Sequence, residues 1–249
     1  KAMDEAVSAG CTPILVGGTM LYFRALCFGM AAMPAASPEV REALARRFDE
    51  EGAEVLHREL ALVDPVAADG MHPNNRQRLI RALEVYQVSG RPISAFWGEE
   101  NATDEASPLP YRTVPIALSP PERSELHQRI ERRFHAMLEQ GLIEEVRALY
   151  NRRELSLDLP SMRAVGYRQV WEHLEGKTGY NEMVERALVA TRQLAKRQIT
   201  WLRRWPNCHW IDGSDAEYLD KALKIIRAEA TFKDDLPAAA DGNKGRSVR

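Results

Sequence analysis

The chain is short of the residues that build metal and disulfide sites. Its three cysteines, Cys11, Cys27 and Cys208, form no CxxC pair, and its six histidines show no HExxH spacing. That argues against a structural zinc centre or a disulfide framework and fits a reducing cytoplasm. No apolar run is long enough to span a bilayer, so no membrane partner is expected. No internal repeat is apparent, and the formal net charge is only −2. Any anion the protein binds must then be met by local charge, not by a bulk basic field. One local absence is the most informative. Between Arg192 and Arg204 there is no acidic residue, and Arg192, Lys196, Arg197, Arg203 and Arg204 are interleaved with Trp201 and followed by Trp205.

On a helix, Arg192, Lys196 and Arg203 share one line, with Gln193, Arg197, Thr200 and Arg204 beside it. Val184, Ala187, Leu194, Trp201, Leu202 and Trp205 fall opposite and are expected to pack on a core. A solvated surface helix usually mixes signs. Five positives with no Glu or Asp at i±4 form a ridge instead, suited to a polyphosphate or nucleic-acid backbone.

The rest of the chain reads as an α/β layer with a helical insertion. A helix ends at Gly10, and Thr12–Val16 follows with the pattern of a buried parallel strand. Gly17-Gly18-Thr19 then turns into a helix over Met20–Leu26 that ends near Gly29, leaving backbone N–H groups free for an anion. Because the chain opens inside such a unit, an upstream portion is expected. Ser37 and Pro38 predict a capped helix start. Two more helices follow, one stopped by Asp64-Pro65 and one running from Asn74-Asn75 to Gly90. Residues 101–110 read as a loop, and Tyr111–Leu118 as a strand. Ser119-Pro120-Pro121-Glu122 reads as a capping box for a helix ending at Gly141. A helix around Ile143–Tyr150, a polar turn at Ser161–Tyr167, the basic helix and a strand at His209–Ile211 complete the pattern. The five tryptophans and the lone histidines, such as His127 and His135, are read as structural. Residues 233–249 have too few apolar side chains to fold.

Two further clusters suit anions. Gln77, Arg78 and Arg81 lie opposite Leu79 and Leu83 on one helix, and arginine forks match phosphate oxygens or base edges. Arg163 and Arg168 flank Gly166 and Tyr167 at a helix start. Each cluster alone is equally consistent with a solvated face, and Tyr167 with a core side chain.

Four segments taken together are more specific. Pro13-Ile-Leu-Val-Gly-Gly-Thr-Met-Leu-Tyr22, His72-Pro-Asn-Asn-Arg-Gln-Arg-Leu-Ile-Arg-Ala-Leu-Glu84, Arg163-Ala-Val-Gly-Tyr-Arg-Gln169 and Lys196-Arg-Gln-Ile-Thr-Trp-Leu-Arg203 occur in that order. Over residues 2–212 the chain resembles the bacterial-type tRNA dimethylallyltransferases. The resemblance implies a P-loop-NTPase-like α/β core, incomplete at its N-terminus, with an all-helical insertion domain. Residues 1–36 and 107–232 would form the core, 37–106 the insertion, and 233–249 a disordered tail. It also implies transfer of a dimethylallyl group from dimethylallyl diphosphate to N6 of the adenine 3′ of the anticodon, with Mg²⁺, by a cytoplasmic monomer that grips the tRNA anticodon stem-loop.

By the same resemblance Thr19 lies in the reaction channel, and Arg163 and Arg168 meet the diphosphate, with Thr19 and Arg163 serving the chemistry. The RNA would be contacted by Thr19, Arg41, Gln77, Arg78, Leu79, Ile80 and Arg81. Arg163, Ala164, Val165, Gly166, Tyr167 and Arg168 would add to that surface, as would Lys196, Arg197, Gln198, Ile199, Thr200, Trp201, Leu202 and Arg203. The family's glycine-rich phosphate loop and its general-base aspartate have no counterpart in these residues and would precede Lys1, so the fragment is expected to bind RNA without catalysing transfer. Two other readings share these features: a non-catalytic tRNA-binding module and a P-loop-type small-molecule kinase.

Overall fold

The computed structural model describes residues 1–97 and 109–231. They form two compact units, one from Lys1–Gly18 with the chain from Val114 onward, the other from Thr19–Thr113.

The second unit is helical. It comprises α2 (Met20–Phe28), α3 (Pro38–Glu51), α4 (Ala53–Val63), α5 (Pro65–Asp69) and α6 (Arg76–Ser89), followed by a helical stretch at 93–97. Ser37 caps α3, its Oγ accepting the Val40 N–H at 3.4 Å, with Pro38 at the first helical position. α6 stops where Gly90 takes up left-handed backbone. The apolar faces of α3, α4 and α6 close on one core holding Leu44, Leu56, Leu60, Leu79, Leu83 and Phe96. Burying each such side chain contributes about 1.5–3 kcal/mol. Residues 19–36, which the resemblance would place in the α/β core, cluster with this unit, where Ala31 and Met33 pack against the helical core.

Asp64 shows how the sequence punctuates this unit. It is buried, its Oδ1 accepting the Ala67 N–H at 3.0 Å and its Oδ2 the Ser94 N–H at 2.9 Å. Asp64→Ala strands both donors, and an unsatisfied buried donor costs about 1–3 kcal/mol. A urea titration should show a loss in that range. An unchanged midpoint would rule the account out.

The first unit contains α1 (Ala2–Ser8), β1 (Ile116–Ser119), α7 (Arg123–Glu139), α8 (Leu142–Tyr150), α9 (Tyr167–Leu174), α10 (Tyr180–Arg203), β2 (His209–Asp212) and α11 (Tyr218–Thr231). β1 and β2 pair in parallel, from Ile116 opposite His209 to Ser119 opposite Asp212. A parallel pair needs a long crossover, here supplied by α7 to α10, and that makes the unit α/β. Its core gathers Phe134, Leu142, Val146, Met162, Val170, Trp171, Met183 and Ala187. Trp171 meets Tyr150 edge-on, ring centroids 5.0 Å apart. None of the described helices is long and apolar enough to cross a membrane.

The structure corrects several local expectations. Thr12–Val16 forms no strand, and Ile14, Leu15 and Val16 are exposed, Val16 to 91%. A parallel strand exists only through a neighbour's hydrogen bonds, and β1 and β2 pair only with each other among the described residues. The strand expected over Tyr111–Leu118 is confined to Ile116–Ser119. Pro115 has no N–H to donate, although its carbonyl still accepts the His209 N–H at 2.9 Å. Ser119 is the last strand residue and caps nothing: α7 starts at Arg123 behind Glu122, with no side-chain cap. On α10, Val184 and Ala187 pack on the core as expected, but Leu194 and Trp201 are exposed, to 37% and 42%. The core contacts of α10 lie in its first half, and the apolar stripe of its second half is only partly covered, with Leu202 and Trp205 half-buried. Trp210 is likewise exposed. The predicted tail and most of the predicted 101–110 loop lie outside the described residues.

Candidate functional site

In the helical unit, packing divides the cations of the α6 motif into two groups. Arg76 is tied to α3: its guanidinium donates to Asp49 at 2.7 Å and to the Ala45 carbonyl at 3.1 Å, and lies over the Phe48 ring. Arg81 donates to Glu84 Oε2 and to the Pro34 carbonyl, each at 2.8 Å. Arg41, on α3, reaches the same Oε2 at 2.8 Å. Gln77 and Arg78 are exposed, and their side chains have no polar partner among the described residues. Leu79 and Ile80, expected to touch RNA, are buried in the helical core. Their place on α6 follows from helical spacing, which turns them inward whenever Gln77, Arg78 and Arg81 face out.

Glu84 anchors this arrangement. Its side chain is fully buried, and Oε1 also accepts the Ser37 N–H at 2.9 Å. Burial pushes its carboxyl up, but the bonds from Arg81, Arg41 and Ser37 outweigh that and hold it below the ordinary glutamate range.

In the α/β unit, a turn at 161–166 leads into α9. Gly166 takes φ +98°, a left-handed conformation that favours glycine, and its N–H donates to Gln169 Oε1 at 2.8 Å, capping the helix. Arg163 is exposed, its Nε donating to the Leu157 carbonyl at 2.5 Å, with Asp158 at 3.7 Å. Ala164 is exposed and Val165 half-buried. Tyr167 packs against the core and donates its hydroxyl to Glu145, an interaction that raises the phenol above its usual range, with burial adding to it. Arg168 donates to Glu172 at 2.8 Å; Arg186, from α10, meets the same carboxylate at 2.9 Å.

The basic helix is sorted in the same way. Arg192 is half-buried and meets Glu131 of α7 at 3.3 Å. Lys196, Arg197, Arg203 and Arg204 are exposed, with no ion pair among the described residues. Lys196 and Arg203 are seven residues apart, as are Arg197 and Arg204, so the four share one sector of the helix surface. Thr200 is exposed and bonds back to the Lys196 carbonyl at 2.9 Å, while Ile199 and Leu202 are half-buried.

Gln198, expected on the RNA surface, donates to the Gly18 carbonyl at 2.9 Å. A Cβ on Gly18 would collide with that amide, so a side chain there would push Gln198 aside. Two motifs 180 residues apart in sequence therefore meet within one unit. Thr19 is exposed, and its hydroxyl has no partner among the described residues.

The sequence reading missed Glu84, Glu172 and Arg186. The signal was present in part: Glu84 stands three residues after Arg81, and Glu172 four after Arg168, the spacings at which helical side chains meet. Among the described residues no group of three or more His, Cys, Asp or Glu side chains could hold a metal ion. Mg²⁺ usually takes only one or two protein carboxylates and completes its shell with waters and substrate phosphates, so it does not require such a group.

An α/β unit and a helical unit, each presenting arginines braced by buried carboxylates beside cations with no partner among the described residues, define an α/β protein with two arginine-rich surfaces. Comparison with known proteins narrows that class. A family model described as IPP transferase matches residues 1–205. The tRNA dimethylallyltransferase of Chromohalobacter salexigens is 52% identical over 229 residues, covering 92% of this chain and 72% of that protein. The tRNA dimethylallyltransferase 2 of Hahella chejuensis is 48% identical over 235 residues, covering 91% and 71%. Among solved structures, the tRNA isopentenylpyrophosphate transferase of Bacillus halodurans matches with a TM-score of 0.58 at 33% identity, covering 92% of this chain and 69% of that one. A eukaryotic dimethylallyltransferase acting on tRNA shares the fold at a TM-score of 0.67 and 24% identity, covering 96% and 61%. The chain belongs to the IPP transferase family and is a prenyltransferase by that membership.

Proposed function

We propose that this protein acts in tRNA modification, transferring a dimethylallyl group from dimethylallyl diphosphate to N6 of the adenine 3′ of the anticodon. The observation that carries the reading is the unpaired set Lys196, Arg197, Arg203 and Arg204, on the helix whose Gln198 holds the glycine turn. Unpaired cations on one sector gain the most from an RNA backbone, because no protein partner has to be given up. Gln77 and Arg78 offer the helical unit's equivalent.

Adenine N6 is a weak nucleophile, so departure of the diphosphate limits the reaction. The N6 lone pair forms the new bond to the allylic carbon, the C–O electron pair leaves with the diphosphate, and the N6 proton passes to the family's general-base aspartate, which has no counterpart among residues 1–249. Arg163 takes the growing charge on that oxygen, exchanging its contact with the Leu157 carbonyl for the diphosphate. Arg168, held by Glu172, supplies further positive charge. Thr19 orients the target nucleotide through its free hydroxyl. Mg²⁺ brought in with the diphosphate would supply further positive charge to the leaving group. The α/β unit is part of a P-loop-type core in this reading, and the protein works as a cytoplasmic monomer.

Two measurements test it. A synthetic anticodon stem-loop RNA should bind with an affinity that falls steeply with salt. Because residues 1–249 show no counterpart of the family's phosphate loop and general base, label from dimethylallyl diphosphate should appear on its adenine only in a chain that carries both. Binding without transfer in such a chain would point to a non-catalytic RNA-binding module. Salt-insensitive binding, or none from folded protein, would overturn the reading, and ATP-dependent phosphorylation of a small molecule would replace it with a kinase.

A further inference from the structure

A fully buried carboxylate shared by two arginines is a poor stability device. Replacing such buried ionic networks by apolar side chains is often neutral or stabilising, because desolvation offsets the attraction. What Glu84 produces is positional. Arg41 from α3 and Arg81 from α6 each place one nitrogen 2.8 Å from the same Oε2. Two guanidiniums are thereby held within about two hydrogen-bond lengths of each other, a separation at which unscreened like charges repel. The Ser37 N–H holds the other carboxylate oxygen at 2.9 Å, and the Pro34 carbonyl fixes the second arm of Arg81 at 2.8 Å. The carboxylate therefore cannot turn away from its arginines.

One negative and two positive charges leave a formal excess of one. The Arg41 side chain is 50% exposed and that of Arg81 29% exposed, so the excess faces solvent. Each guanidinium has five donors. Arg41 uses one of them among the described residues, on Glu84. Gln77, Arg78 and Arg81 lie on one stripe of α6, so the clasp continues into the two side chains that have no protein partner.

We propose that Glu84 is a positioning residue that holds Arg41 and Arg81 as a paired-guanidinium clasp for one backbone phosphate of the RNA. The proposal rests on the RNA reading above and adds the group that sets the geometry. The phosphate oxygens accept from both arginines at once while Glu84 keeps them from springing apart.

The test is Glu84→Gln, which keeps the shape but removes the charge and turns an amide N–H₂ toward one arginine. Affinity of the 249-residue chain for a synthetic anticodon stem-loop RNA should fall about tenfold. The slope of log affinity against log salt should become shallower by about one, the change expected for one lost phosphate contact. Competition by inorganic diphosphate should stay unchanged. Arg41→Gln, at a half-exposed position, should reproduce both RNA effects, and the two substitutions combined should do little more than either alone. Glu84→Asp should restore part of the slope.

Folded Glu84→Gln and Arg41→Gln proteins with wild-type affinity and slope would overturn the proposal. If Glu84→Gln does not fold, a wild-type slope in Arg41→Gln does so alone. Weakened competition by inorganic diphosphate with an unchanged RNA slope would assign the clasp to the donor substrate and also overturn it. Failure of the RNA reading itself is distinguishable: the unsubstituted protein would show no salt-sensitive RNA binding.

Discussion

In an enzyme that also carries the family's phosphate loop and general base, Arg163→Ala should lower the rate of dimethylallyl transfer by roughly 10²–10³, the usual cost of losing one preorganised donor to a developing negative charge. The loss should appear in kcat, because the charge on the leaving oxygen exists only as the C–O bond breaks. Stability should hardly change. Arg163 is exposed, its ion-pair partner Asp158 more so, and such surface pairs contribute little. Removing its bond to the Leu157 carbonyl leaves an acceptor that water can reach. Anticodon stem-loop affinity should stay within about threefold, as expected for one exposed phosphate contact among several. Full transfer activity in the alanine variant would remove Arg163 from the chemistry. A loss of RNA binding with kcat unchanged would move it to the RNA surface.

The second large effect concerns the basic sector of α10. Replacing Lys196, Arg197, Arg203 and Arg204 together by alanine should weaken RNA binding by on the order of a hundredfold or more at low salt. The log–log salt slope should flatten by about three, since each phosphate contact to a non-duplex strand contributes about 0.7. Folding should be spared, because all four side chains are exposed and unpaired among the described residues, and such surface changes usually stay within about 0.5 kcal/mol. Arg192→Ala is the internal contrast. That side chain is half-buried against Glu131, so its loss should cost stability before it costs RNA affinity. A quadruple variant that binds RNA with the original slope would show that this sector does not meet the backbone.

The comparison of these cations shows where sequence reading stops. Arg192 and Lys196 look equivalent on a helical wheel, four residues apart on one line. Only the packing of α7 beside α10 gives Arg192 a carboxylate and leaves Lys196 without one. The Arg81–Glu84 pair is legible from spacing, but Arg41 lies 43 residues away from Glu84 and joins it only because α3 packs on α6. Gln198 is a similar case. It sits inside a motif that the family resemblance assigns to RNA, yet it spends its amide on Gly18. Leu79 and Ile80 stand in such a motif too, and their burial follows from a periodicity that was visible in the chain.

Strand and cap errors have a different origin. Thr12–Val16 has the composition of a buried strand, but a strand is stabilised by its neighbours and not by its own residues. Ser119 has the local chemistry of an N-cap, yet pairing with Asp212 takes it into β1.

Near neighbours along the chain account for the helices and most of their ends, the Ser37 cap, the sector of cations without acidic neighbours and the four motifs that mark the family. The tertiary structure alone decided which of those cations are free. Charge is a property of a residue, but its availability depends on whether a carboxylate from another element is buried against it. Glu84 and Glu172 each meet one arginine of their own helix, Arg81 and Arg168, by spacing, and the packing of a second helix adds Arg41 and Arg186.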